Sequence, residues 1–245
     1  MCDMIQLSAP QAAAVFASSF AYRIGAPLGA IGDIPHVRYR QPFHGITDEF
    51  FPIFVPPLAA DAVGRANASS QQFYLTLIVP LDAPLSAELL SRGYALEVVE
   101  TLMSRSLGGP TMPSPAVAPQ PITDADQLDA LLVDGRSAFR PEHVGDLRWD
   151  IRAIYADGAP VSWGAQIFAD DDYPYVTNVH TVEAHRRKGH ASAVMVALLA
   201  AAQRRGARQS VLTASADGRS VYRVLGYRDL AHIHVWRSSA PLERP

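Results

Sequence analysis

The sequence predicts a two-part α/β protein in which helices flank a mixed sheet. Three observations carry this. Short apolar or alternating runs suited to strands recur between Ala-rich helical segments. A proline-rich stretch divides the chain, and the segments on either side of it share an outline. With 49% hydrophobic and 18% charged residues over 245 positions, the chain can bury a substantial core.

Ser8-Ala9-Pro10 reads as a helix start, with small and apolar residues following over 12–22. From 24 to 57 glycines and prolines interrupt every pattern, and only 35–40 suggests a short strand. Residues 58–70 suit a helix, 73–79 (FYLTLIV) a buried strand, and 86–91 a short helix. A strand at 95–103 follows the Gly93-Tyr94 break. The stretch 108–121 holds five prolines in fourteen residues and reads as a linker, its end (116–122) pairing as the first strand of the second part.

Beyond the linker a helix is expected over 125–139, with Asp124 and Asp126 at its positive end. Strands at 151–155 and 161–168 flank the tight turn Asp157-Gly158. The acidic run 170–172 is a second turn. Then come a strand at 175–182, the basic loop 186–191, and a helix over 191–205 that ends near Gly206. A strand at 210–214, a helix at 219–225 capped by Ser215 or Asp217 and closed by Gly226, and a strand at 231–236 complete the order. Residues 241–245 are expected to fray. The outline strand, Asp, helix, Gly-Tyr, strand runs over 76–105 and again over 209–238; unless the likeness is chance, the first part is a diverged copy of the second. Nothing before Phe73 matches the basic loop, and Leu89 stands where the second copy has Tyr222.

A formal net charge of −3 argues against a general nucleic-acid binder, yet residues 184–208 hold six Arg or Lys and no acid. Such a patch suits a small anion more than a polyanion. A solvated helix face, or salt-dependent DNA binding through His185-Arg186-Arg187-Lys188, are the alternatives. Cys2 is the only cysteine, so no disulfide forms within the chain and a reducing cytoplasm is expected. Neither a membrane span nor a signal peptide is expected. His232 and His234 lack companion ligands at metal-binding spacing, so no metal is expected. Trp149, Trp163 and Trp236 belong to the core or rim an acceptor pocket.

Two motifs point further. Arg186-x-x-Gly189-x-Ala191 opens a helix, where free N–H groups and the helix dipole suit a phosphate. Downstream lies Val221-Tyr222-Arg223-Val224-Leu225-Gly226-Tyr227. In this order, on these elements, residues 115–238 resemble the GNAT superfamily of acyl-CoA-dependent N-acetyltransferases. The resemblance implies a mostly antiparallel GNAT-like sheet flanked by helices, in two tandem GNAT-like domains. These would be a degenerate one at 1–107 and a catalytic one at 122–245, joined by 108–121.

It also implies an enzyme that moves acetyl from acetyl-CoA to a primary amine by direct attack in a ternary complex, without a metal. Backbone groups of Val179, His180 and Thr181 would pair with the pantetheine arm. Arg186, Arg187, Lys188, Gly189, His190, Ala191 and Ser192 would take the pyrophosphate. Ser215 would contact the cofactor arm or cap its helix. Tyr222 matches the family's general acid, and Tyr227 takes an apolar core position. The family's glutamate base is missing, because Tyr175 and Ser210 stand near its usual places. His180 is the candidate substitute, with a structural or substrate-orienting histidine as the alternative should the face it shares by alternation with Val176, Asn178 and Val182 pack against a helix; Glu183 is weaker. The acceptor would be a small-molecule or peptide amine and the protein a monomer or homodimer. A module that binds or senses acyl-CoA without catalysis is the alternative.

Overall fold

The computed structural model describes residues 6–69, 72–109, 115, 117–133, 135–137 and 139–238. Cys2, part of the linker and the end expected to fray lie outside them. In chain order the elements are α1 (Ala9–Arg23), β1 (Leu28–Ile31), β2 (Ile34–Phe43), β3 (Ile46–Phe50), α2 (Pro57–Asn67), β4 (Tyr74–Val79), α3 (Ala87–Ser91) and β5 (Ala95–Ser106). There follow β6 (Gln120–Pro121), α4 (Ala125–Asp129), β7 (Leu132–Val133), β8 (Arg136–Ser137), β9 (Trp149–Ala156), β10 (Ala159–Ile167) and β11 (Tyr175–Thr181). The last are α5 (His190–Arg204), β12 (Gln209–Ala214), α6 (Arg219–Val224) and β13 (Arg228–Arg237).

These elements form two compact units. A central unit is built on Arg105–Leu212, and an N-terminal unit joins Leu7–Ser104 with Thr213–Pro245. The units cut across the contiguous partition at 108–121. The reason is β13: it lies antiparallel between β4 and β5, pairing His232 with Val79 on one side and with Thr101 on the other. Strand pairing along both edges ties the end of the chain to its beginning.

In the N-terminal unit the strand order is β1-β2-β3-β4-β13-β5. Strands β1 to β3 form an antiparallel meander, and α2 then crosses to β4, which runs parallel to β3. Ser8 caps α1 as its residue type requires: its side chain accepts from Gln11 N–H, and the Gln11 side chain accepts from Ser8 N–H at 2.9 Å. Phe50, Phe73, Leu75, Leu77, Leu89 and Trp236 form the buried cluster on one face. The region 24–57 holds three strands where the sequence suggested one. Its long strand β2 is largely exposed and carries Pro35 and Pro42, so neither alternation nor continuous apolarity marks it.

In the central unit the order is β12-β11-β10-β9-β6. Antiparallel β9, β10 and β11 are followed by the α5 crossing to parallel β12. Asp157 and Gly158 both take positive φ, 51° and 80°, as a two-residue hairpin turn needs. Leu198 and Val194 of α5 lie over Gly164, where an added Cβ would come within 3.0 Å of Val194. The helix expected over 125–139 stops at Asp129. Leu128, Leu131 and Phe139 are buried, and Gly135 turns the chain at φ 73° between two short strands instead of continuing a helical stripe. Only Gln120–Pro121 of the expected strand 116–122 pairs, with β9. The outline thus repeats: three antiparallel strands, helix, parallel strand, short helix, strand. Among the described residues no helix is long and apolar enough to cross a membrane.

Candidate active site

In the central unit the parallel ladder between β11 and β12 has two pairs, Tyr175↔Val211 and Val176↔Leu212, and ends there. On the other edge β11 pairs with β10, with a bulge between Trp163↔His180 and Ala165↔Thr177. The bulged strand carries Asn178 at φ 54°. It breaks the simple alternation. Val179 turns toward α5, its Cγ2 lying 3.1 Å from where a Cβ on Gly164 would be. His180 lies on the other face, its ring 4.6 Å from that of buried Trp163. The face shared by alternation, on which the sequence reading of His180 turned, therefore does not exist. Ser162 Oγ donates to the His180 carbonyl at 2.9 Å and lies 2.8 Å from Thr181 Oγ1, tying the strand end to β10.

After Thr181 a single helical turn, Glu183–His185, leads into the basic loop. Arg186 Nε donates to the Thr181 carbonyl at 3.2 Å and closes the loop onto the strand. Arg187 adopts φ 60°, a left-handed conformation that costs a non-glycine residue about 1–2 kcal/mol. Gly189 follows at φ 80° and serves as the N-cap of α5. No side chain caps this helix and no acid lies in its first turn. Among the described residues, the N–H groups of His190, Ala191 and Ser192 have no carbonyl partner. The contrast with α1, α3 and α4, capped by Ser8, Ser86 and Asp124, is plain. Arg186, Arg187, Lys188 and Gly189 are exposed, while His190, Ala191 and Ser192 are half-buried. A bare, positive helix end flanked by exposed cations suits an anion.

Within the N-terminal unit, Ser215 Oγ accepts the Gly218 N–H at 3.3 Å and so shapes the turn into α6. The Tyr222 ring lies over Gly218, where a Cβ would meet Cε2 at 3.1 Å. Its ring stands 6.0 Å from that of buried Tyr227. Arg219 and Arg223 both bond Asp229, which pins α6 to the start of β13. Burial, and then the negative charge of Glu100, push the Tyr222 phenol up to about 12. Glu100 lies on β5 directly opposite Ile233 of β13. Sequence reasoning missed it, because an acid inside the strand pattern 95–103 shows no partner until β13 is paired beside it.

Glu183, the weaker candidate base, is exposed. The three tryptophans are all buried and serve the cores. His232 and His234 stack at 6.1 Å on β13, and among the described residues no group of three or more His, Cys, Asp or Glu is placed to hold a metal ion.

Residues 125–227 match the family model described as Acetyltransferase (GNAT) family. No curated protein matches the chain. Among solved structures, the chain resembles a GCN5-related N-acetyltransferase from Kribbella flavida, with 21% identity, a TM-score of 0.66, and coverage of 93% of this chain and 96% of that one. A GCN5-related N-acetyltransferase from Sphaerobacter thermophilus is similar over 86% of this chain and 77% of its own, at 14% identity and a TM-score of 0.57. A tandem GNAT protein from the clavulanic acid biosynthesis pathway is similar at 12% identity and a TM-score of 0.50, over 77% of this chain and 69% of its own. At these identities the likeness is one of fold.

Proposed function

From a chain that carries a GNAT acetyltransferase domain at residues 125–227, we propose an enzyme that moves an acetyl group from acetyl-CoA to a primary amine, with both substrates bound together. The uncapped start of α5 carries this reading. Its bare N–H groups, the left-handed Gly189, and the cations Arg187 and Lys188 fit a pyrophosphate. The residues present therefore fit coenzyme A, which supplies an activated acetyl thioester when bound. Gly189, His190, Ala191 and Ser192 hold its phosphates through the backbone, and Arg186 keeps the loop in shape. The end of the β11–β12 ladder at Val176 supports a role for the Val179–Thr181 backbone in binding an extended arm as a further strand would. Ser215 orders the turn into α6 and keeps a hydroxyl proton to donate.

Tyr222 protonates the departing thiolate. With its phenol pushed up to about 12 it keeps its proton at any physiological pH and acts as a donor. The test is calorimetry of the full chain with acetyl-CoA, then thiol release across a panel of primary amines, with Tyr222→Phe as control. Binding with amine-dependent release is the expected result. No binding of acetyl-CoA overturns the reading, and binding without turnover leaves a module that senses acyl-CoA.

A further inference from the structure

Strand β2 of the N-terminal unit has an open edge. Strand β1 pairs with β2 only from Ile34 to Val37 and begins at Leu28. Pro27, just before it, has no N–H to extend the ladder, and there the chain comes off α1, Ala26 N–H donating to the Ala21 carbonyl at 3.0 Å. Among the described residues no strand lies beside β2 from Arg38 to Phe43 on that side. On the other side β3 answers these residues with a bulge, since its pairs jump from Arg38↔Asp48 to Phe43↔Ile46. Arg40, Gln41, Pro42 and Phe43 are exposed.

The two faces of this edge differ. His36 and Arg38 both reach Asp48, which puts them on one face. The Arg38 side chain stays 56% exposed all the same, and Arg40 beyond it has no partner among the described residues. No acid occurs from Ile34 to Thr47, and the two that follow, Asp48 and Glu49, are buried and already bonded. The opposite face carries rings. The Tyr39 hydroxyl donates to Glu49, and its ring stacks on that of Phe43 at 6.2 Å and 26°. Phe43 is 52% exposed. Arginines and a proline guard an edge against association, but guarding gives no reason for an exposed phenylalanine stacked in place on the other face. An edge with cations on one face and rings on the other suits the alternating side chains of an added strand.

We propose that residues 38–43 of β2 dock an extended acidic peptide, a segment of another protein in which Asp or Glu alternates with apolar or aromatic residues. Its backbone adds to the β2 edge, its carboxylates meet Arg38 and Arg40, and its apolar side chains cover Tyr39 and Phe43. A second copy of this chain is a poor occupant, because pairing β2 with itself about a two-fold axis gathers Arg38 and Arg40 of both copies on one face. A nucleic acid would use the cations and the rings but has no strand-forming backbone to answer the edge. Docking here does not require the acetyl-transfer reading to hold.

The probe is a fluorescent heptapeptide, acetyl-Glu-Val-Glu-Phe-Glu-Val-Glu-amide, titrated with the full chain and read by anisotropy. Comparison peptides carry the same residues with the acids in one block, or Lys for Glu, or N-methyl groups on the amides of one edge or the other. The alternating peptide should bind saturably, and about tenfold or more tighter than the blocked and lysine peptides. N-methylation should abolish binding on one edge and spare it on the other, because an added strand bonds along one side only. Arg40→Glu should weaken binding by about tenfold or more, and Phe43→Ala by about threefold or more, with Tm unchanged since both side chains are exposed. No binding, equal binding of the blocked peptide, equal loss from N-methylation of either edge, or indifference to Arg40→Glu overturns the docking. So does tighter binding of an oligothymidylate of like length. Sedimentation of the wild type as a dimer that Phe43→Ala turns into a monomer gives the edge to a second copy and overturns it too.

Discussion

The crossing from β3 to β4 and the crossing from β11 to β12 hold the same place in the repeated outline and do opposite things. In the first, the chain leaving β3 keeps pairing. Ile53 bridges Ile78 in parallel, Phe54 N–H reaches the Ile78 carbonyl at 2.9 Å, and Ile78 N–H reaches the Pro52 carbonyl at 2.9 Å. Its helix α2 then begins with Pro56 as N-cap and Pro57 as first residue, and neither has an N–H to offer. In the second, the ladder ends at Val176↔Leu212, and α5 begins on a left-handed glycine with bare N–H groups beside Arg187 and Lys188. The short helices that follow differ in the same sense. Leu89 of α3 is fully buried in the apolar cluster, while Tyr222 of α6 carries a phenol that burial, and then the charge of Glu100, push up to about 12. A support and a site can share one plan, and backbone donors left open or filled decide which is which.

The sharpest break in this comparison is at the two short helices. Tyr222→Phe should lower the rate of thiol release by about 10²–10⁴-fold while acetyl-CoA affinity holds. If the rate is unchanged, the two helices do not differ in kind. Leu89→Ala should instead cost about 2–5 kcal/mol of stability by urea denaturation, through a cavity, with acetyl-CoA affinity intact in the folded fraction. A weakened affinity there would give the first half a share of the site.

Asp229 tests how α6 is held. Burial raises its carboxyl, but hydrogen bonds from Arg219 and Arg223 outweigh this and keep it below the usual range. A depressed folded pKa means the clamp contributes fully above the unfolded value near ~3.9 and is lost as pH falls through the folded value. Asp229→Asn should cost about 1–3 kcal/mol at neutral pH and match wild type in acid; a gap that persists undiminished in acid sinks the clamp. The smallest effect is at the loop. Arg187→Gly removes a left-handed non-glycine and one exposed charge, so acetyl-CoA binding should weaken by up to about fivefold without a fall in Tm. A lower Tm would mean that Arg187 holds the loop rather than being strained by it.

Much of this was legible in the residues. Ser8 and Gln11 make the capping box at α1, Asp157-Gly158 makes the hairpin, and Gly206 and Gly226 take φ 84° at helix ends. The basic loop sits at the start of α5, and Tyr222 sits on its own short helix. What was not legible depended on distant partners. The three strands of 24–57 lack a pattern because β2 is largely exposed, and the helix expected over 125–139 stops once Leu131 and Phe139 turn into a core. A bulge at Asn178 sends Val179 and His180 to faces that strict alternation would exchange.

By itself the sequence determined the caps, turns, element order and the glycine-and-cation loop, because each rests on residues a few positions apart whose backbone preferences act locally. Tertiary structure alone decided that β13 lies between β4 and β5 and that Glu100 stands opposite Ile233. Strand pairing joins residues more than a hundred positions apart, and no local preference encodes which strand a lone acid will face.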